Sequence, residues 1–323
     1  MNFEGLKIIV TGAAGFIGSN LTDKLLELGA KVIGLDNLFN GRLENLEDAM
    51  KYKNFEFHKG DVRDLNFLID IFKDADIIYH EAAFTSVPQS VKMPANCNDV
   101  NVNGMINVLN AARRIDVDKV IFASSSAVYG DTPTLPKHEE MGRWPISPYG
   151  VAKLACEQYA KVWHHVYGLK TTSIRYFNVF GPRQRDSPYS GVIAIWLGRI
   201  LRDEDLLIYG DGEQSRDFTY VKDVIQGNLL IAEHDIPGEI INIACGNPIK
   251  LTDLAKLILK LTGKEHLGIQ YTDPRPGDIK HSYGDISKAN KLLGYEAKYT
   301  QEDGLRDYLN WYVNKYNIDL KIN

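Results

Sequence analysis

The chain has 323 residues, of which 44% are hydrophobic and 24% charged, and its formal net charge is −5 at pH 7. This length and composition are ordinary for a globular protein with one large α/β domain and a smaller lobe, and the acidic balance gives no reason to expect a nucleic-acid partner. The sequence has no apolar run of about 18 residues, the length that would predict a transmembrane helix. The three cysteines are too isolated for a metal site or a disulfide framework. We therefore expect a cytoplasmic protein without a metal or a membrane partner.

The first predicted element is a short apolar strand, residues 6–11, which is followed by a glycine-rich turn and by leucines at helical spacing. Gly12, Gly15 and Gly18 let the backbone turn tightly and approach a pyrophosphate at the start of that helix. Asp36 ends the next predicted strand, 18 residues after the last glycine. A carboxylate there can accept hydrogen bonds from an adenosine ribose and would repel a 2′-phosphate. The pattern predicts a dinucleotide-binding unit that prefers NAD to NADP.

The remaining elements alternate between strands and helices. Further strands are predicted at residues 31–35, 55–61, 76–83, 119–125 and 169–176, with a return strand at 239–244. The clearest helices are predicted at residues 100–114, 148–166 and 251–261. This alternation predicts an α/β fold with a doubly wound parallel sheet of the Rossmann type, whose ligands bind beyond the carboxyl ends of the strands. We divide the chain into a dinucleotide-binding domain, residues 1–180 with a return segment near 217–245, and a smaller lobe, residues 181–323, that mainly binds substrate.

Tyr149 and Lys153 are four residues apart, so they share one face of their predicted helix. A lysine ammonium near a phenol is expected to lower the pKa of the phenol, and a tyrosinate is a general base for an alcohol. Ser125 ends a predicted strand and can hydrogen-bond the same substrate oxygen. These three residues, called the catalytic trio below, predict removal of a proton from a sugar-type C–OH while a hydride leaves its carbon.

Several segments together resemble the extended short-chain dehydrogenase/reductase family, from the first strand to about residue 289. They are Thr11–Gly18, Ser124–Gly130, the Tyr149-x-x-x-Lys153 pair, Arg175–Asn178 and Arg216–Phe218. Within that family the chain is similar to the UDP-hexose 4-epimerases. The resemblance implies a tightly held NAD and epimerisation at C4 of UDP-sugars through a 4-keto intermediate, with the catalytic trio at the reacting centre. It implies UDP-GlcNAc and UDP-GalNAc as substrates, together with UDP-Glc and UDP-Gal.

The resemblance also implies two sets of binding residues. Those that match the family's cofactor site are Gly12, Gly15, Phe16, Ile17, Gly18, Asp36, Asn37, Asn40, Asp61, Val62, Ala82, Ala83, Asn101, Tyr149, Lys153, Tyr176 and Val179. Those that match its UDP-sugar site are Ser86, Ser125, Tyr149, Asn178, Gln184, Val192, Tyr209, Arg216, Arg275 and Ser282. Arginine suits a diphosphate because its planar guanidinium binds phosphate oxygens in pairs. Ser282 matches the position beside the sugar C2, where a small residue leaves room for an acetamido group.

A homodimer is the assembly that the resemblance implies, because two helices per subunit form a four-helix interface in this family. Residues 100–114 and 148–166 are the matching segments. The apolar stripe on the first of them consists of Val102, Ile106, Leu109 and Ala112. Such a stripe is also typical of a helix that packs into its own core.

Other functions stay open at this point. The family's 4,6-dehydratases and decarboxylases place an acid shortly after the catalytic hydroxyl, where this chain has Ser126 and Ala127, and neither can protonate a leaving hydroxyl. Uronate 4-epimerases commonly carry threonine where this chain has Asn178, which argues more weakly against UDP-glucuronate. A reductase of the same branch remains a further alternative. A protein that only binds a dinucleotide would have no need of the catalytic trio.

Overall fold

The centre of the fold is a parallel sheet of seven strands, in a computed structural model that describes residues 2–184, 191–274, 279–320 and 322–323. The strands are β1 (Lys7–Thr11), β2 (Lys31–Asp36), β3 (Phe55–Lys59), β4 (Ile77–His80), β5 (Lys119–Ser125), β6 (Lys170–Tyr176), β7 (Asn178–Phe180), β8 (Leu206–Tyr209), β9 (Ser215–Arg216), β10 (Phe218–Tyr220), β11 (Ile240–Ile243), β12 (Ile249–Lys250), β13 (Ile269–Thr272) and β14 (His281–Ser282). The order in the large sheet is β3-β2-β1-β4-β5-β6-β11. The predicted doubly wound parallel sheet is confirmed.

Helices cover both faces of this sheet. They are α1 (Phe16–Glu27), α2 (Leu65–Ile71), α3 (Val87–Lys92), α4 (Pro94–Asn98), α5 (Gly104–Arg114), α6 (Pro148–Tyr167), α7 (Val192–Leu201), α8 (Val221–Glu233), α9 (Leu251–Leu261), α10 (Ser287–Leu293) and α11 (Gln301–Tyr316). Among the helices of the described ranges, none has the length and apolarity needed to cross a bilayer. The same ranges hold no cluster of His, Cys, Asp and Glu suited to a metal ion.

The apolar strands are buried on both sides, which is why they read as continuous hydrophobic runs rather than as alternating ones. In β1, Ile8 and Val10 pack into the core beneath α1 and α8, while Ile9 packs into the core formed with α2, α5 and α6. Successive side chains of a strand point to opposite faces, so one strand contributes to two cores. The fold is therefore a layered helix–sheet–helix sandwich.

Three small sheets form most of the strand structure outside the large one. Strand β7 pairs with β10, β8 pairs with β13, and β9 lies between β12 and β14. Strand β11 returns to the large sheet beside β6, close to where the return strand was predicted. The division at residue 180 remains a prediction.

Two features of the predicted helices differ in the structure. Residues 99–103 form a π-helical segment before α5 starts at Gly104, so the helix predicted from residue 100 is interrupted near its start. The stripe on this helix fits the core interpretation: Val102, Leu109 and Ala112 are buried against the sheet and its neighbouring helices within one subunit, and Ile106 is partly buried there. The helical spacing of these residues therefore results from their packing in the core of the same subunit. The dimer itself remains a prediction.

The carboxyl ends of the large sheet lie along one edge, because all of its strands are parallel. The glycine turn follows β1, and Asp36, His80, Ser125 and Tyr176 are the last residues of β2, β4, β5 and β6. This edge positions the candidate site.

Candidate active site

The glycine turn after β1 leaves no space for side chains. Gly12 has a φ of +71°, and a Cβ there would lie 2.7 Å from the Ala82 backbone nitrogen. A Cβ on Gly18 would lie 2.2 Å from the Gly12 carbonyl oxygen. Gly15 precedes α1 and has no side chain to cap the first amides of that helix. The turn therefore presents backbone N–H groups and a helix N-terminus to the cleft, which is the arrangement that binds a pyrophosphate. These residues fit a dinucleotide.

Asp36 lies at the end of β2 with both carboxylate oxygens oriented by backbone amides. The Ala14 amide donates to Oδ2 at 3.1 Å and the Leu38 amide donates to Oδ1 at 2.7 Å. Burial raises the pKa of Asp36 above its usual value, and the two amides oppose that rise. A Cβ on Gly41 would lie 2.7 Å from the carboxylate, so this glycine keeps the space beside Asp36 free. An oriented carboxylate at this place suits the diol of an adenosine ribose.

The catalytic trio is assembled from β5 and α6. Ser125 ends β5, and its side chain lies close enough to the phenol of Tyr149, in the first turn of α6, to favour the ionised phenol. The Lys153 ammonium donates to the Ala123 carbonyl oxygen at 2.6 Å and lies 4.8 Å above the centre of the Phe122 ring. Ser125 and Tyr149 both line the cleft. These two hydroxyl groups can thus hydrogen-bond a substrate oxygen and exchange a proton with it.

The pKa of Tyr149 lies above its usual value in this structure, whereas the charge of Lys153 was expected to lower it. Burial raises the pKa of Tyr149 to about 12, and the Ser125 side chain only partly opposes the rise. The ammonium lies 5.8 Å from the centre of the phenol ring and is directed to the Ala123 carbonyl. Burial also lowers the pKa of Lys153 itself. Desolvation of the phenolate therefore outweighs the attraction of this ammonium.

A buried ion pair holds β5, β6 and α6 together behind the site. Arg175 donates to both oxygens of Glu157, at 2.8 and 2.7 Å, and both side chains are 0% exposed. The Ser124 hydroxyl donates to Glu157 at 2.6 Å. The guanidinium also lies 4.6 Å from the centre of the Tyr129 ring, whose hydroxyl donates to Asn242 at 2.7 Å. This network fixes the strand that ends in Ser125 against the helix that carries Tyr149.

Removing one partner of this pair should be costly. Glu157→Ala is expected to lower the free energy of unfolding by about 3–5 kcal/mol, because Arg175 would remain buried without its counter-ion. Urea unfolding followed by circular dichroism measures the loss. The matched control is Glu302→Ala, whose partner Arg306 lies 2.6 Å away on the exposed surface of α11. That pair should contribute about 0–1 kcal/mol. Equal losses in the two variants would show that the buried pair does not stabilise the fold.

One cleft of about 940 Å³ brings most of the predicted binding residues together. Those that line it are Gly12, Gly15, Phe16, Ile17, Gly18, Asp36, Asn37, Asn40, Val62, Ala82, Ala83, Ser86, Ser125, Tyr149, Tyr176, Asn178, Val179, Gln184 and Val192. The cofactor set and the substrate set thus meet in one continuous space, and the Ser125–Tyr149 pair lies on its wall.

Several predicted residues do not line the cleft. Asp61 accepts two hydrogen bonds from the Arg63 guanidinium, each 2.9 Å long, and this ion pair holds the pKa of Asp61 well below its usual range. Asn101 is buried in the π-helical segment, where it accepts from the Phe84 amide at 2.7 Å and so supports the loop after β4. Lys153 lies behind Tyr149, with 2% of its surface exposed.

The predicted substrate residues of the second lobe lie on its small sheets. Ser282 of β14 is in register with Arg216 of β9, and Tyr209 ends β8, but none of these three lines the cleft. The Arg216 guanidinium donates to the carbonyl oxygens of Ser215 and Lys280. Arg275 lies outside the described residues.

Other side chains of the cleft were not predicted from the sequence. They include Phe39, Arg42, Glu81, Arg183, Tyr312 and Tyr316. Glu81 had a usable signal, since it directly follows β4 at the same edge as the predicted residues. Tyr312 and Tyr316 had none, because α11 reaches this cleft from the far end of the chain.

Comparison with known proteins places this geometry in a family. The model of the family described as GDP-mannose 4,6 dehydratase matches residues 9–308. The chain belongs to this family of extended short-chain dehydrogenases/reductases. Its relatives within the family include UDP-sugar 4-epimerases. A putative UDP-glucose 4-epimerase of Methanocaldococcus jannaschii is 39% identical over 308 residues, which cover 95% of this chain and 98% of the relative.

Solved structures of the family share the whole fold. A UDP-N-acetylglucosamine 4-epimerase from Methanobrevibacter ruminantium M1, in complex with UDP-N-acetylmuramic acid, has a TM-score of 0.92 and 40% identity and covers 97% of this chain and 99% of its own. A UDP-glucuronic acid 4-epimerase from Bacillus cereus, in complex with UDP-glucuronic acid and NAD, has a TM-score of 0.90 and 33% identity. It covers 96% of this chain and 100% of its own. The family's epimerases thus include enzymes named for different sugars.

Proposed function

We propose that this protein is an NAD-dependent 4-epimerase of UDP-sugars that acts on UDP-GlcNAc and UDP-GalNAc and also on UDP-Glc and UDP-Gal. The observation that carries the proposal is the pair of hydroxyl side chains, Ser125 and Tyr149, on the wall of the cleft that begins at the glycine turn. A dinucleotide site alone would serve many oxidoreductases. A hydroxyl pair of this kind beside it suits the oxidation and reduction of a sugar alcohol.

The cofactor residues divide along the cleft. The glycine turn and the start of α1 would hold the pyrophosphate, and Asp36 with Asn37 and Asn40 would hold the adenosine ribose. Tyr176 and Val179 would flank the nicotinamide. When bound, NAD supplies an acceptor for the hydride of the sugar C4 and returns that hydride in the second half of the reaction.

Tyr149 is the proposed acid and base. Its phenol oxygen would take the proton from the sugar 4-OH during oxidation and give a proton back to the same oxygen during reduction. Ser125 would donate a hydrogen bond to the 4-oxygen and keep it beside the phenol. Inversion at C4 requires the flat 4-ketopyranose to expose its opposite face, so the pocket must hold the UDP firmly and the sugar loosely.

The UDP would be held by residues of the second lobe and of the segment that leads to it. Asn178, Gln184 and Val192 line the cleft beyond the catalytic pair. Arg216 of β9 lies beside Ser282 of the neighbouring strand β14. Arg216 and Arg275 are the proposed partners of the diphosphate. Tyr209 is proposed to lie near the uracil. Ser86 and Gln184 can hydrogen-bond an acetamido group, which favours N-acetylated substrates.

A uronate 4-epimerase is the second candidate function. The observation that favours it is the similarity to the Bacillus cereus enzyme, which is named for UDP-glucuronic acid. Asn178, in the place where uronate enzymes commonly carry threonine, argues against it.

One assay separates these functions. The purified protein is incubated with UDP-GlcNAc, UDP-Glc and UDP-GlcA in turn, and the C4 configuration of each product is followed by NMR without added NADH. Inversion of the first two and not the third supports the proposal. Inversion of UDP-GlcA alone would assign the uronate function, and loss of a hydroxyl or of carbon dioxide would assign a dehydratase or a decarboxylase.

Cofactor preference provides a separate test. The protein is expected to purify with NAD and to bind it more tightly than NADP, because the Asp36 carboxylate would repel a 2′-phosphate. Asp36→Asn should reduce that preference on the order of tenfold, which corresponds to about 1.4 kcal/mol of lost discrimination. Calorimetric titration of the cofactor-free protein with each dinucleotide measures both affinities. Equal affinities in the unsubstituted protein would show that Asp36 does not face the ribose.

The assembly is proposed to be a homodimer built on α6. Val151, Val162 and Val166 lie on one side of that helix and are exposed in the single subunit, although its opposite side is core. Light scattering should give twice the subunit mass of 36.4 kDa. Val162→Glu should shift the equilibrium to monomers, while Lys161→Glu, next to it, should not. A concentration-independent monomer in the unsubstituted protein would contradict this assembly.

A further inference from the structure

Glu81 is a cleft carboxylate with no part in the mechanism described above. It directly follows β4 and lines the cleft. The Tyr176 hydroxyl donates to its Oε1 at 2.7 Å, and the Asn228 amide donates to that hydroxyl at 2.8 Å. Within the described residues, the Tyr176 hydroxyl is the one group that donates a hydrogen bond to the Glu81 carboxylate, and it does so at Oε1. The carboxylate is thus fixed in place from one side and open to the cleft on the other.

The position of β4 in the sheet determines what passes Glu81. Strand β4 lies between β1, which carries the glycine turn, and β5, which carries Ser125. A dinucleotide held at the turn and reacting beside Tyr149 must cross the end of β4. The part that would lie beside Glu81 is the nicotinamide, because Tyr176, which donates to Glu81, is proposed to flank that ring, and the adenosine is proposed to lie on the opposite side, toward Asp36 at the end of β2.

The groups that face Glu81 come from three elements. Tyr79 lies on its own strand, Tyr176 on β6, and Tyr149 and Lys153 on α6. Lys153 is the cation among them and favours the charged carboxylate. Burial dominates, however, and raises the pKa of Glu81 to about 7. The carboxylate therefore gains a proton as the pH falls through neutrality.

We infer that the Glu81 carboxylate sets the redox balance of the bound nicotinamide by stabilising its oxidised, positively charged ring over the neutral reduced ring. The inference rests on the proposed function. In the first half-reaction the C4–H bond breaks, its hydride carries two electrons to the ring, the 4-OH proton goes to Tyr149, and the ring loses its positive charge. A negative charge beside the ring opposes that loss and favours return of the hydride to the sugar. Glu81 would thus limit accumulation of the 4-keto intermediate, which the enzyme must not release.

The test is Glu81→Gln, which removes the charge but keeps an oxygen to accept the Tyr176 hydrogen bond. The midpoint potential of NAD bound to the purified protein is measured by equilibration against a redox couple of known potential, with no sugar present. The variant should favour the reduced form by on the order of tenfold, which for a two-electron couple is a rise of about 30 mV. The matched control is Glu56→Gln on β3, whose carboxylate is exposed and paired with His58 at 2.7 Å, and it should not move the potential.

The pH dependence gives a second measurement. The difference in potential between the unsubstituted protein and Glu81→Gln should narrow as the pH falls and Glu81 takes up a proton. If the variant does not fold, the unsubstituted protein alone still shows the effect, as a change in the slope of potential against pH where Glu81 titrates.

The outcomes separate this inference from the proposed function. A potential that is the same in Glu81→Gln and in the unsubstituted protein, with a straight pH dependence, would overturn the role of Glu81 even if the protein epimerises UDP-sugars. A shifted potential without any epimerisation would support the role of Glu81 and contradict the proposed substrate. Failure of the folded protein to bind NAD would overturn both.

Discussion

Tyr149→Phe is expected to lower kcat for UDP-sugar epimerisation by about 10²–10⁴-fold, the usual contribution of a positioned acid or base. The substitution removes one oxygen and leaves the ring that packs in the first turn of α6. The variant should therefore unfold at nearly the same temperature as the unsubstituted protein and retain the same amount of NAD. Steady-state kinetics, thermal unfolding and release of the bound cofactor measure the three quantities.

The pH profile adds a check on this assignment. Because burial raises the pKa of Tyr149 to about 12, the phenolate fraction grows as the pH rises, and kcat should increase from neutral to alkaline pH. The residual activity of Tyr149→Phe should lack that increase. Tyr159→Phe, an exposed tyrosine on the same helix, is the matched control and should leave both kcat and the profile unchanged. Turnover in Tyr149→Phe close to that of the control would remove the tyrosine from the mechanism.

Ser282→Tyr is expected to abolish activity on UDP-GlcNAc while sparing UDP-Glc. A phenol ring beside the sugar C2 would fill the volume that an acetamido group needs and that a hydroxyl does not. Ser282 is in register with Arg216, outside the cleft lining. With Arg216 holding the diphosphate as proposed, the new ring would lie close to the bound sugar. A ratio of kcat/KM values for the two substrates that shifts on the order of 100-fold corresponds to about 2.7 kcal/mol of transition-state discrimination.

Ser282→Ala is the control for this change, because it alters the hydroxyl without adding volume. It should preserve activity on both substrates. Equal survival of both activities in Ser282→Tyr would show that another residue limits the space at C2, and equal loss of both would point to a displaced Arg216.

Much of the fold could be predicted because local patterns determined it. The apolar runs of β1, β4 and β5 are buried on both faces. In the first turn, Gly12 is required by the close backbone of Ala82, and Gly18 by the carbonyl oxygen of Gly12. The strands and helices of the structure therefore begin and end within a few residues of their predicted ends. The start of α5 could not be predicted in the same way, because the π-helical segment before it has no periodicity of its own.

The site was predictable where it depends on sequence neighbours and not where it depends on tertiary contacts. The i, i+4 spacing brought Tyr149 and Lys153 to one helix, but the direction of the Lys153 ammonium depends on the Ala123 carbonyl of a separate strand. The same limit explains Asn101, which supports the loop after β4, and Tyr312, which reaches the cleft from the last helix. Periodicity alone also could not distinguish core from interface on α5.

In the proposed reaction, one bound cofactor would take the hydride from C4 and return the same hydride to it. A UDP-GlcNAc that carries deuterium at C4 tests it directly, with the protein in ordinary water and without added cofactor. We expect the UDP-GalNAc formed to keep the deuterium at its inverted C4, as measured by NMR and mass spectrometry. Inversion with loss of the deuterium to solvent, or consumption of the labelled sugar without inversion at C4, would contradict it.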